Sequence, residues 1–175
     1  MNNRTEAWQA AYCWLCQRRR HAPPNADIWH LRFHWAQQGE RLWRQLQRGR
    51  YRLAPMQVLR RGGRCWVQWC APDALILKWA ALLPKPARCL HLRGHGGSAA
   101  SVAEVREALA SGEYAFVYRT DIRGYYRHIR KYQVINQLKW QVADLVLFDV
   151  MQQYVHYSVE DGGELYPTQR HLPDR

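Results

Sequence analysis

One carboxylate in this sequence stands where a metal or phosphate site could be built. Asp121 lies three residues after the end of Tyr114 to Tyr118, a run of aromatic and β-branched residues that is typical of a buried strand. A basic stretch with helical character follows, so the pattern predicts a strand that delivers one acidic side chain at its carboxyl end. The simpler alternative is that Asp121 only caps the helix that comes next.

Three arginines form a second candidate site. Two short β-prone runs, Met56 to Leu59 and Cys65 to Trp69, flank a Gly-Gly pair, and this combination predicts a β-hairpin. Arg60, Arg61 and Arg64 would lie at its tip. Guanidinium groups bind phosphate bidentately, so the tip predicts phosphate contact, and a solvated turn is the alternative.

Cysteines and histidines near the start of the chain define a third candidate. Cys13, Cys16, His30 and His34 follow C-x2-C-x13-H-x3-H, close to the spacing of a zinc finger. Residues 5–20 have helical periodicity, however, where a finger needs a β-hairpin. We therefore favour cysteines and histidines that bind no metal, with zinc as the competing interpretation.

The composition indicates a polyanionic partner. The chain of 175 residues has 26 Lys+Arg against 14 Asp+Glu, a formal net charge of +12, together with nine Trp and ten Tyr. Arginines among aromatic residues suit nucleic acid, because aromatic faces can stack on bases. The sequence contains neither an apolar run of membrane-spanning length nor a signal peptide, so we expect no membrane partner and a cytoplasmic location. We also expect the five cysteines to be reduced.

The elements that must position these residues can be predicted from periodicity and from the positions of Gly and Pro. Helical patterns cover residues 5–20, 25–49, 72–83, 101–111, 131–140 and 142–154. In the helix that begins near 101, we expect Val102, Val105 and Leu109 to form the buried stripe. A second hairpin is predicted around Asp161, where Gly-Gly again separates two β-prone runs. We expect the tryptophans of the helix over 25–49 to contact the core, namely Trp29, Trp35 and Trp43.

The order of these elements, together with one motif, resembles the fingers and early palm of bacterial reverse transcriptases of the group II intron and retron type. In that family the first palm strand ends in Asp-Ile-x-x-Phe/Tyr-Phe/Tyr, and DIRGYYRHI over residues 121–129 is similar to it residue by residue. The segments GRYRLAP, APDALILKWAALL and HLRGHGG resemble the order of other family blocks. The resemblance covers residues 49–175, with 121–129 as its specific motif.

The resemblance implies an α+β fold and a set of roles. It predicts mainly helical fingers with a basic β-hairpin, followed by the first strand and helices of a polymerase palm. Asp121 and the carbonyl of Ile122 would contact Mg²⁺, and Tyr126 would lie under the incoming sugar and disfavour a 2′-hydroxyl. The hairpin arginines would hold the triphosphate. The implied partners are an RNA template, a DNA primer and dNTP, and the regions would be 1–50 (helical), 51–112 (fingers-like) and 113–175 (partial palm).

The sequence departs from the family in its acidic residues. Nucleotidyl transfer uses two Mg²⁺ ions about 3.5–4 Å apart, held by several carboxylates, and this sequence has no Asp-Asp pair for the family's Tyr-x-Asp-Asp turn. We therefore expect a truncated or split polymerase that is inactive alone, and in the split case a second chain would complete the palm. Two alternatives remain open: a non-catalytic RNA- or DNA-binding module, and a zinc-dependent nucleic-acid-binding protein.

Overall fold

A computed structural model of the chain describes residues 3–83, 97–118, 120–121, 123 and 128–167. The chain divides into two compact units, one formed by residues 1–84 with 124–175 and the other by residues 85–123. Within the described residues there are seven helices and one four-stranded sheet, so the predicted α+β class is confirmed.

The helices agree with the predicted pattern except in one place. The segments over 5–20, 72–83, 101–111, 131–140 and 142–154 are helical, with ends shifted by a few residues. The helices are α1 (Asn3–Arg18), α2 (Asp27–Phe33), α3 (Trp35–Gln47), α4 (Ala71–Leu82), α5 (Gly97–Ala110), α6 (Lys131–Gln141) and α7 (Leu145–Val155).

The single helix predicted over 25–49 is wrong, because the chain turns at His34 between α2 and α3. The turn directs Trp35 onto Tyr12 of α1, and the two ring centroids are 3.6 Å apart in a parallel stack. Gly39 permits this approach, since a Cβ at that position would lie 3.0 Å from the indole of Trp35. Packing against α1 therefore outweighs the continuous helical periodicity of the sequence.

The core of the larger unit forms around aromatic residues. Trp8 of α1 contacts Trp43 of α3, with ring centroids 5.1 Å apart, and Trp43 meets the buried Trp79 of α4 edge to face at 5.9 Å. Such pairs add about 0.5–1.5 kcal/mol each beyond the area they bury. The tryptophans predicted to contact the core do so, namely Trp29, Trp35 and Trp43.

Both predicted hairpins are confirmed, and they join into one sheet with the order β2-β1-β3-β4. Each hairpin pairs antiparallel across a Gly-Gly turn, whereas the central strands β1 and β3 are parallel. Both glycines of the first turn have positive φ, 57° for Gly62 and 75° for Gly63, as a tight two-residue turn requires. The strands are β1 (Met56–Arg61), β2 (Arg64–Gln68), β3 (Ser158–Asp161) and β4 (Glu164–Pro167).

A buried carboxylate holds the segment between α3 and β1 against the helices. Asp73, in the first turn of α4, is 1% exposed. Its carboxylate accepts a hydrogen bond from the Tyr51 hydroxyl at 2.6 Å and another from the backbone N–H of Ala54 at 2.9 Å. Gln153 of α7 holds the same segment, since it accepts from the N–H of Leu53 at 2.8 Å and donates to the Tyr51 carbonyl at 3.1 Å. Residues 51–54 are therefore fixed from two helices.

Burial dominates the ionisation of this cluster. It raises the pKa of Asp73 above the usual range, although hydrogen bonds from Tyr51 and Cys70 oppose the shift. Burial also raises the pKa of the Cys70 thiol to about 12, so this group stays protonated. Because native Asp73 keeps its proton at a pH where the unfolded chain has lost it, its contribution to the free energy of unfolding decreases as pH rises through that window.

The smaller unit differs from the predictions in two ways. Tyr114–Tyr118 forms no strand, and Phe116 and Tyr118 are 92% and 91% exposed. The predicted buried stripe of α5 is also wrong, since Val102, Val105 and Leu109 are each about half exposed. A strand needs a hydrogen-bonding neighbour. The four strands that the structure describes all belong to the other unit, and none of them lies in the unit that contains this β-prone run.

In the part of the chain that the structure describes, none of the helices combines the length and the apolar character needed to span a bilayer. The described cysteines Cys13, Cys16, Cys65 and Cys70 are free thiols, as predicted, and Cys89 lies outside the described residues.

Replacing Tyr51 with Phe removes one hydroxyl and leaves an oxygen of the buried Asp73 without its donor. We expect Tyr51→Phe to lower the free energy of unfolding by about 1–3 kcal/mol. Urea denaturation measures this change. The matched control is Tyr132→Phe, because Tyr132 is 56% exposed and should change stability by less than about 0.5 kcal/mol. Equal effects of the two variants would contradict the role given to the Tyr51 hydroxyl.

Candidate nucleic-acid interface

The backbone of the first hairpin places Arg60, Arg61 and Arg64 next to its turn, as predicted. Arg60 pairs with Cys65 and Arg61 with Arg64 in the β1–β2 register, directly before the Gly-Gly turn. The two-residue turn therefore brings three basic residues to one end of the sheet. The side chain of Arg64 is exposed, and the side chain of Arg61 lies outside the described part of the chain.

A carboxylate from the second hairpin engages one of these arginines. Arg60 donates two hydrogen bonds to Asp161 of β3, one to each carboxylate oxygen. These hydrogen bonds hold the pKa of Asp161 below its usual range. The pair is exposed to solvent, so salt and competing anions can reach it. Sequence reasoning missed this contact, because it depends on β1 and β3 being neighbours in the sheet.

The predicted polymerase residues are only partly within the described chain. Asp121 is exposed and lies in an irregular segment of the smaller unit. Ile122 and Tyr126, predicted as its metal-contacting and sugar-contacting neighbours, lie outside the described residues. Across the described ranges, no group of three His, Cys, Asp or Glu side chains converges as a metal site would require.

The four residues with zinc-finger spacing are all described, and their local structure differs from a finger. Cys13 and Cys16 lie on the long helix α1 rather than on a hairpin. The rings of His30 and His34 are neighbours, with centroids 4.6 Å apart, and His30 is hydrogen-bonded to the side chain of Gln38 at 2.9 Å. These four residues do not form a group of metal ligands.

A basic groove lies along α3 in the larger unit. It has a volume of about 570 Å³. Arg41, Arg44 and Arg48 occupy one face of α3 at helical spacing, opposite the buried Leu42 and Leu46. The spacing of these arginines in the sequence indicates a basic helix face. It does not indicate that Arg50, which lies beyond the helix, lines the same groove. The groove, here called the α3 groove, is lined by Gln37, Arg41, Arg44, Gln45, Arg48 and Arg50.

The α3 groove continues into a second recess at the amino-terminal end of α3. This recess has a volume of about 230 Å³ and shares Gln37 and Arg41 with the groove. Phe33 lies beside it, with its ring edge-on to His34 at 4.8 Å and with 85% of its surface exposed. The surface therefore combines cations, amide groups and an exposed aromatic ring.

Comparisons with protein-family models, with curated proteins and with solved structures found no match to this chain.

The Arg60–Asp161 pair allows a test of whether Arg60 of the hairpin binds RNA. Asp161→Asn removes the carboxylate charge and releases the Arg60 guanidinium, so we expect RNA binding to tighten several-fold at low salt. Fluorescence anisotropy with a labelled oligoribonucleotide measures the affinity. Glu113→Gln is the matched control, since it removes one exposed negative charge from the other unit. If both variants tighten binding equally, net charge rather than the freed arginine is responsible.

Proposed function

We propose that this chain is the amino-terminal part of an RNA-directed DNA polymerase, that it binds an RNA template and a DNA primer, and that it is inactive alone. The observation that carries the proposal is the block DIRGYYRHI at residues 121–129, which matches the end of the family's first palm strand. A cytoplasmic site of action belongs to the same proposal.

Binding of nucleic acid is supported by where the charge lies. The net charge of +12 is not spread evenly, since arginines cluster at the hairpin and along one face of α3. Neutralising phosphates releases condensed counterions, and this release drives association at physiological salt. Arginine suits this role better than lysine, because its planar fork contacts two phosphate oxygens at once.

The described acidic residues do not fit a two-metal centre. Bound Mg²⁺ would activate the primer hydroxyl and neutralise the triphosphate, and several carboxylates must hold the two ions. Asp121 is one exposed carboxylate, and within the described ranges no three acidic, His or Cys side chains come together. In this proposal Asp121 keeps the position of one catalytic carboxylate, and a complete metal site needs further carboxylates that the described residues do not bring to it.

The exposed β-prone segment supports the same proposal. Tyr114–Tyr118 has the composition of a buried strand but lies exposed, and the four strands that the structure describes all belong to the other unit. A palm sheet supplied by a second chain would provide the hydrogen-bonding neighbours and cover the aromatic side chains. The segment would then form the strand that its sequence predicts.

A non-catalytic nucleic-acid-binding module is the second candidate function. The specific observation in its favour is that the arginine surfaces lie in the larger unit, whereas Asp121 lies in the smaller one. Binding in such a module would need no contribution from Asp121. The two functions differ in the nucleic acid that they prefer.

A binding comparison separates the two functions. A polymerase fragment should bind a DNA primer annealed to a longer RNA template several-fold more tightly than it binds the same RNA unpaired. Competition anisotropy measures both affinities, and Asp121→Asn should leave them unchanged because Asp121 would contact metal rather than nucleic acid. Equal affinities would favour the non-catalytic module. Primer extension by the chain alone, with dNTP and Mg²⁺, would contradict the proposed inactivity.

A further inference from the structure

We infer that the α3 groove, together with Phe33, binds a single-stranded polynucleotide, with its arginines on consecutive phosphates and the phenyl ring stacked on a base. The inference rests on the proposed function, since it names the surface through which the chain would hold unpaired nucleic acid. Apart from Arg50, the residues of this surface precede residue 49, where the polymerase resemblance begins.

The spacing of the arginines fits an extended strand rather than one small anion. Arg41 and Arg48, the C-cap residue of α3, are seven positions apart, which is about 10 Å along the helix axis. A single phosphate would contact one or two of these guanidinium groups and leave the rest unused. A strand running along the helix meets all of them, and Arg50 extends the basic line beyond the helix end.

The charges in the α3 groove are only lightly compensated. Glu40 forms an ion pair with Arg44 at 3.4 Å, and both side chains are more than half exposed. An exposed pair of this kind contributes little and is readily exchanged for a phosphate. Gln37 and Gln45 add amide donors and acceptors between the arginines, so the lining can hydrogen-bond to sugars or base edges as well as to phosphates.

The exposed ring of Phe33 would make this surface prefer nucleic acid over polyanions that have no bases to stack on it. At 85% exposure this ring covers none of the core, and its neighbour His34 lines the recess that continues the groove. Nearby, the guanidinium of Arg32 lies over the Trp29 ring at 5.0 Å and adds a further cation on the same helix. Aromatic rings beside a basic groove are the usual elements of single-strand recognition, because bases of any sequence can stack on them.

The test compares two triple variants that lose the same charge. One replaces Arg41, Arg44 and Arg48 with Ala, and the other replaces Arg18, Arg106 and Lys139, which are all exposed and lie outside the groove. Labelled oligouridylate and oligothymidylate are titrated over about 50–200 mM salt. We expect only the groove variant to reduce the slope of log affinity against log salt, by about 2, since each phosphate contact on a single strand contributes about 0.7.

Phe33 provides an independent variant. Phe33→Leu should weaken oligouridylate binding roughly fivefold or more, the loss expected from one stacked base, whereas Phe33→Tyr keeps the ring and should bind normally. Trp140→Leu is the control, because that indole is 88% exposed on another helix. Inorganic polyphosphate should compete equally well with wild type and with Phe33→Leu.

The outcomes distinguish this inference from the proposed function. If wild type binds neither oligonucleotide, both fail. If wild type binds but the two triple variants behave alike, or Phe33→Leu matches Trp140→Leu, the inference alone fails and binding lies elsewhere. If the groove variant loses affinity for oligouridylate only, RNA is the ligand. If it loses affinity for both probes, the groove binds single strands of either kind. Equal affinities for primer–template and unpaired RNA would count against the polymerase fragment without affecting the groove.

Discussion

The buried carboxylate of Asp73 is the constraint on which the arrangement of the larger unit depends. It comes from α4, at the centre of the helical core, and fixes Tyr51 and Ala54 of the segment that leads from α3 into β1. Burying a carboxylate is costly unless hydrogen bonds replace its hydration, and three donors do so here, from Tyr51, Ala54 and the Cys70 thiol. The geometry of the segment is therefore determined by a group that cannot move without losing those bonds.

Both basic surfaces are attached to this fixed segment. Arg50, immediately before Tyr51, lines the α3 groove, and β1 begins at Met56, two residues after Ala54. Arg52, within the segment, also forms an exposed ion pair with Asp149 of α7 at 3.0 Å. Preorganised arginines lose less conformational entropy on binding than arginines on a loose loop. A rigid linker between groove and hairpin is what a surface for an extended polyanion needs.

Local signals in the sequence were enough to predict most helices and strands, but they did not predict the contacts between distant segments. The Gly-Gly pairs predicted both hairpins, and the helical pattern over 72–83 predicted α4. No sequence pattern links Asp73 to its partner Tyr51, because the two residues are 22 positions apart. Tyr114–Tyr118 shows the opposite error: strand propensity reflects the fit of side chains to a pleated, half-buried surface, and none of the strands that the structure describes lies in the unit of this segment. The spacing of Arg41, Arg44 and Arg48 in the sequence indicates a basic helix face. The recess that they line also depends on the position of Arg50, beyond the end of α3.

The central claim is that this chain binds nucleic acid through arginine–phosphate contacts, and the salt dependence of binding tests it most directly. The affinity of the intact chain for a labelled single-stranded RNA is measured between about 50 and 200 mM salt. With at least three arginines on phosphates, log affinity should fall linearly with log salt with a slope of about −2 or steeper. An affinity that does not change with salt would contradict the account.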